Sequence, residues 1–145
     1  MIFAFSAQEG KNSSEVSAAI AKWLIHIIHP DYDDWPAAER SALFDTYHFI
    51  VRKSAHYSEF ALLGALVRLL IEALEWKRLP WLLSWLAVTL YAVTDEVHQV
   101  FVDSRAGMWQ DVCIDSAGAL TAILLTSLVL ALIKKKSEKK KAEPA

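Results

Sequence analysis

The sequence predicts an all-α, polytopic membrane helical bundle with three full transmembrane helices. Three observations carry that prediction. Crossing a hydrocarbon core takes about 20 mostly apolar helical residues, and residues 79–102 and 112–133 both meet that length. A third apolar run, residues 56–74, contains Glu59, Arg68 and Glu72. Arg68 and Glu72 stand four apart, one helical turn, where they can neutralise each other. Charge and apolarity are also segregated: the chain of 145 residues is 54% hydrophobic with a formal net charge of only −2, so charge must gather outside the apolar runs. This length has room for one membrane domain, residues 1–133, followed by a basic tail, residues 134–145.

Residues 1–5 form an apolar stub and residues 6–17 are polar. The stub is too short to span a bilayer and lacks the basic leader and cleavage site of a signal peptide. It reads as an interfacial toe or as the remains of a longer helix. Ser13 and Ser14 can cap a helix whose apolar positions, Val16, Ile20, Trp23, Leu24, Ile27 and Ile28, follow the 3.6-residue period until Pro30. Its polar face holds only Lys22 and His26, which suits a helix lying on the outer leaflet. The segment HPDYDDWP reads as a solvated acidic turn. Asp31, Asp33 and Asp34 match no calcium loop, and the glycine such a loop needs is missing. From Pro36 the chain is helix-forming throughout, with Leu43, Phe44, Tyr47, Ile50 and Val51 on one apolar face. Trp76, Trp81 and Trp109 fall near expected interfaces as an aromatic belt, and Trp85, one turn deeper, fits either the belt or a contact between helices. The single Cys113 permits no internal disulfide and is expected to be a buried, inert thiol.

Orientation follows from the cations, which concentrate on the cytoplasmic side of membrane proteins. Residues 134–141 read KKKSEKKK, and the turn between the first two spans holds Lys77 and Arg78. Both are therefore expected inside, and the loop 103–110 and residues 6–51 outside. The lysine run is expected to touch anionic lipid rather than nucleic acid.

The outer ends of the three spans carry the chemistry. An ionisable group at the bilayer centre costs roughly 2.5–3.5 kcal/mol, so groups kept near that depth are usually paired, wet or functional. Lys53, His56 and Glu59 recur every three residues along one helix. On the next, Tyr91, Asp95 and Gln99 are four apart, flanked by Glu96 and His98, and on the last Asp111 and Asp115 are four apart. Gly64, Ala65, Gly118, Ala119 and Ala122 would let backbones approach closely. Three readings of the polar cluster stand open. It could be a structural charge network satisfied within the bundle. It could bind a polar headgroup, with Arg105 and Lys53 on a phosphate or carboxylate. It could hold a divalent metal, or a His–Asp general base, for hydrolysis or transfer on a lipid-linked substrate. Spacing does not point to catalysis: Asp95-Glu96-Val97-His98 is not the HExxH of a zinc protease, and neither a Ser nor a Cys is poised with a His.

The blocks RKSAHYSEFALLG (residues 52–64) and TDEVHQVFVDSRAGMWQDVCIDSAGA (residues 94–119), with IFAFSAQEGKNSSEVS (residues 2–17) more weakly, resemble the three characteristic blocks of VanZ-like membrane proteins. The resemblance implies signature positions at Lys53, His56, Glu59, Asp95, Glu96, Gln99, Phe101, Arg105, Gly107, Asp111, Asp115 and Gly118. Tyr57 and Phe60 exchange one aromatic for another relative to the usual pattern. Relatives carry a complete first transmembrane helix, so the resemblance implies that residues 1–5 are the last turn of a truncated one. For function it implies a prokaryotic cell-envelope accessory protein, of the kind that raises resistance to the lipoglycopeptide antibiotic teicoplanin, with no established reaction. The expected partners are membrane lipids, and a lipid-linked cell-wall precursor or lipoglycopeptide. No cofactor and no metal are implied.

Overall fold

A computed structural model describes the backbone of residues 2–100 and 108–142, and side chains of residues 14–100 and 108–141. Four α-helices follow in order: α1 (Ile2–Ile28), α2 (Ala37–Ala73), α3 (Pro80–Val100) and α4 (Trp109–Ala142), with one 3-10 turn at Tyr32–Asp34. Among the described residues there is no strand, as the sequence predicts. The chain divides into two compact units, Met1–His56 with Val97–Gly107, and Tyr57–Glu96 with Met108–Ala145.

In the first unit α1 is continuous from Ile2, so Ser13 and Ser14 lie inside a helix rather than capping one. The polar residues 6–17 are good enough helix formers to carry the apolar stub and the amphipathic segment as one element. Ala21 and Ile25 are fully buried, whereas Val16, Ile20, Trp23 and Ile27 form an exposed apolar stripe. The segment after Pro30 is a turn with its three acids exposed, as expected, and it is also an ordered clasp. Tyr32 is buried and its hydroxyl donates to the Arg40 carbonyl at 2.8 Å. The Trp35 indole donates to Asp31 Oδ2 at 2.9 Å, holding that carboxyl below its usual range. His26 meets Tyr32 edge to face at 5.5 Å, and its Nε2 lies 3.4 Å from Asp33 Oδ2. The Lys22 carbonyl on Nδ1, with Asp33 second, raises the imidazole pKa above its ordinary value.

The second unit is a three-helix bundle. Phe60, Val88, Ala92, Ala119 and Ile123 form its core, with Leu63, Val67, Trp85, Tyr91 and Val112 packed against it. Bonds from Tyr57 to Thr121 (2.9 Å), from Arg68 to Ser127 (2.9 Å) and between Glu72 and Lys134 (2.5 Å) ascend together along α2 and α4, so these helices run parallel. Their backbones nearly touch. A Cβ on Gly64 would fall 2.7 Å from the Ala119 carbonyl oxygen, and one on Gly118 would collide with the Tyr57 carbonyl. The expected close approach of small residues is therefore realised at Gly64, Gly118 and Ala119. Arg68, only 5% exposed, donates twice to Glu72 at 3.1 Å, and Lys134 meets the other carboxylate oxygen. The one-turn Arg68–Glu72 pair of the sequence reading is thus extended by Ser127 and Lys134 into a network that spans two helices.

Among the described residues one helix is long and apolar enough to cross a membrane on length and composition alone, Trp109–Lys141. The three-span expectation is not matched on that criterion. Asp95, Glu96 and several aromatic rings dilute α3, and Glu59, Arg68 and Glu72 dilute the second half of α2. The lysine tail is no separate element, since it prolongs α4 to Ala142. Cys113 is exposed, which corrects the buried-thiol expectation: it faces away from Val112 and Asp115, whose sides pack inward. Trp85 settles between helices, donating to Ser116 Oγ at 2.9 Å.

The end of α2 is a Schellman motif without its glycine. Trp76 N–H bonds to the Ile71 carbonyl and Glu75 N–H to that of Glu72, leaving Glu75 at φ 54°. Glu75→Gly removes a left-handed penalty of about 1 kcal/mol and should raise the thermal midpoint in detergent; an unchanged or lower midpoint would contradict the strain. Gly118→Ala forces backbone against backbone and should destabilise by about 1–3 kcal/mol. A variant melting like the wild type would show that α2 and α4 are not held this closely.

Candidate functional site

The polar residues divide between the two units. Glu59, Asp95, Glu96, Asp111 and Asp115 belong to the second, and Lys53, His56 and Gln99 to the first. Arg105, with Phe101 and Gly107, lies outside the described residues. The loop 103–110 is therefore described only from Met108 onward.

In the second unit the helical spacing brings the carboxylates together. Asp111 and Asp115 occupy successive turns at the start of α4, and Asp95 and Glu96 stand near the end of α3, which runs antiparallel to it. Asp115 is 1% exposed and lies within electrostatic reach of Asp111, Glu96, Asp95 and Glu59. Asp111 is 5% and Glu96 6% exposed, Asp95 is half-buried, and Glu59 is exposed. Five acidic side chains thus share one electrostatic neighbourhood, three of them withdrawn from solvent. Carboxylates so placed can accept hydrogen-bond donors or cationic groups. Among the described residues no three His, Cys, Asp or Glu side chains converge as a metal site.

Glu96 has a second task. Its Oε1 accepts the Met108 backbone N–H at 2.5 Å, immediately before α4 begins. Helix N-termini leave backbone donors unsatisfied and carry partial positive charge, so a carboxylate there is stabilising. One acid of the cluster therefore ties the end of α3 to the start of α4. Below it, Ser116 accepts from Trp85 and shares a 2.9 Å bond with Thr89. Sequence reasoning missed Ser116 and Thr121, although both lie one position from a residue it singled out or on the same small-residue side of α4.

In the first unit Lys53 is half-buried with its ammonium 5.3 Å from the Phe49 ring, one turn earlier on α2. His56 is half-buried, and Gln99 is 3% exposed. Tyr91, which shares a helical face with Asp95, packs against Phe60 at 6.1 Å, a core contact.

A family model described as VanZ/LLP1 matches residues 1–131, which include all the candidate positions. Neither a curated protein nor a solved structure matches the chain. The blocks around Lys53–Glu59 and Asp95–Asp115 thus lie within one match that runs almost to the lysine tail, and the chain belongs to the VanZ/LLP1 family.

Proposed function

We propose that this VanZ-family envelope protein crosses the membrane three times and binds a lipid headgroup, a lipid-linked molecule or a glycopeptide-related ligand at the outer leaflet. The observation that carries the reading is the burial of Glu96, Asp111 and Asp115 at the end of the bundle opposite Lys134, with Asp95 and Glu59 within electrostatic reach of Asp115. From the Asp111–Asp115 pair to Lys134 is roughly 30–35 Å at 1.5 Å per helical residue. That is one hydrocarbon thickness. Exposed apolar residues on α2 and α3 support their crossing too: Leu62, Leu66, Leu69 and Leu70, and Leu86, Leu90 and Val93, are exposed, as are Leu124, Leu125, Leu128 and Val129 on α4. Water tolerates contiguous apolar surface of that extent poorly, and lipid does not. By the distribution of lysines the carboxylate end is outward and the tail cytoplasmic.

In this reading the carboxylates and Gln99 take ammonium, amide or hydroxyl hydrogens of the ligand. Lys53, His56 and above all Arg105, whose fork can grip two oxygens, take its anionic part. A purely structural network is favoured for one member, Glu96, by its bond to the Met108 amide. The two roles separate by experiment. Arg105→Lys and Asp115→Asn in the full chain should keep the far-ultraviolet spectrum while losing most of the phospholipid that wild-type protein retains in native mass spectrometry. Retention unchanged in both variants, with a lowered melting temperature in Asp115→Asn, would assign the cluster to structure alone.

A further inference from the structure

A groove of about 370 Å³ lies in the first unit, lined by Lys22, Tyr32, Ala37, Arg40, Ser41 and Phe44. It is made by the clasp: Tyr32 holds the Arg40 main chain, and Lys22 sits 5.8 Å over the Phe44 ring. Arg40 is half-buried, and its Nε is shut off from solvent without a hydrogen-bond partner among the described residues. A buried donor left unbonded is costly unless an acceptor completes it, and Nε is such a donor on Arg40. Lys22 brings a second positive charge to the same groove, and the Ser41 hydroxyl a donor. The first turn of α2, starting at Ala37, adds backbone donors that have no helical acceptor. Among the described residues no carboxylate is ion-paired with Arg40 or Lys22, and Asp33 is engaged with His26.

We propose that this groove is a binding site for a phosphate-bearing anion, separate from the acidic cluster and independent of its role. Arg40 grips two oxygens, while Lys22 and Ser41 close on the remaining ones. Lys22 lies roughly 130° around α1 from the middle of the Val16–Ile20–Trp23–Ile27 stripe, at 3.6 residues per turn. With that stripe against lipid, the groove opens toward water at the membrane boundary. It can therefore be reached by a soluble phosphate ester or by the headgroup of an anionic phospholipid.

The test is phosphorus NMR and thermal melting on the full chain, with inorganic phosphate and glycerol 3-phosphate in neutral detergent. Parallel samples are held in phosphatidylglycerol and in phosphatidylcholine nanodiscs. Wild type should bind phosphate or retain phosphatidylglycerol, and Arg40→Gln should weaken that binding about tenfold. Lys22→Gln should weaken it less, and Lys77→Gln, in the exposed turn, not at all. Without ligand, Arg40→Gln should melt no lower than wild type, because it removes a buried orphan donor. Arg40→Lys, which keeps the charge and loses the fork, should lie between the two if Arg40→Gln fails to fold. Phosphate bound equally in both bilayers assigns a soluble ester, and phosphate bound in phosphatidylcholine but displaced in phosphatidylglycerol assigns the lipid headgroup. A wild type that takes neither probe, or an Arg40 variant that binds as tightly as wild type, overturns the site.

Discussion

The fold of the second unit depends on two backbones that nearly touch. Gly64 faces the Ala119 carbonyl and Gly118 faces that of Tyr57, with no room for a Cβ at either glycine. Once α2 and α4 are that close and parallel, much else follows from helical geometry. Arg68 reaches Ser127, Glu72 reaches Lys134, and Tyr57 reaches Thr121. Asp115, one turn before Gly118, is carried into the buried strip that α3 closes from the other side. Van der Waals contact between small residues is how helices associate where the hydrophobic effect gives little drive. The polar bonds then fix which faces meet.

This arrangement puts opposite chemistry at the two ends of α4. Carboxylates gather at its start, and cations from Arg68 to the lysine run gather toward its finish. Each end treats its charge differently. Arg68 and Glu72 neutralise each other within one turn and are tied to α4 by Ser127 and Lys134, so that end reads as an anchor. The other end concentrates like charges around Asp115, with Glu96 engaged on the Met108 amide.

Much of this was legible in the sequence because it rests on helical period. The four-residue steps Arg68–Glu72, Asp111–Asp115 and Tyr91–Asp95 place side chains on shared faces whatever the tertiary contacts, and the small residues at 64, 118 and 119 mark where helices can meet. What was not legible comes from contacts between segments distant in sequence, or from local chemistry that competes with period. The Ser13–Ser14 cap signal lost to a helix that already runs from Ile2. The turn after Pro30 is solvated at its conspicuous acids, yet Tyr32 and Trp35 fold it down through bonds to Arg40 and Asp31. Cys113 was expected inside an apolar run, but its position on the helix faces out. On length and composition α4 alone stands out among the described residues, because the other two runs are diluted by Asp95, Glu96, Arg68 and Glu72.

The central claim is that α4 crosses the membrane with its carboxylate end outward, and cysteine accessibility tests it most directly. With Cys113 replaced by alanine, single cysteines at Ser104 and Ser137 are exposed to a membrane-impermeant maleimide on intact bacterial cells. The account predicts that Ser104→Cys is labelled at once and Ser137→Cys only after the cells are permeabilised. Labelling of both from outside, or of Ser137→Cys alone, would contradict it.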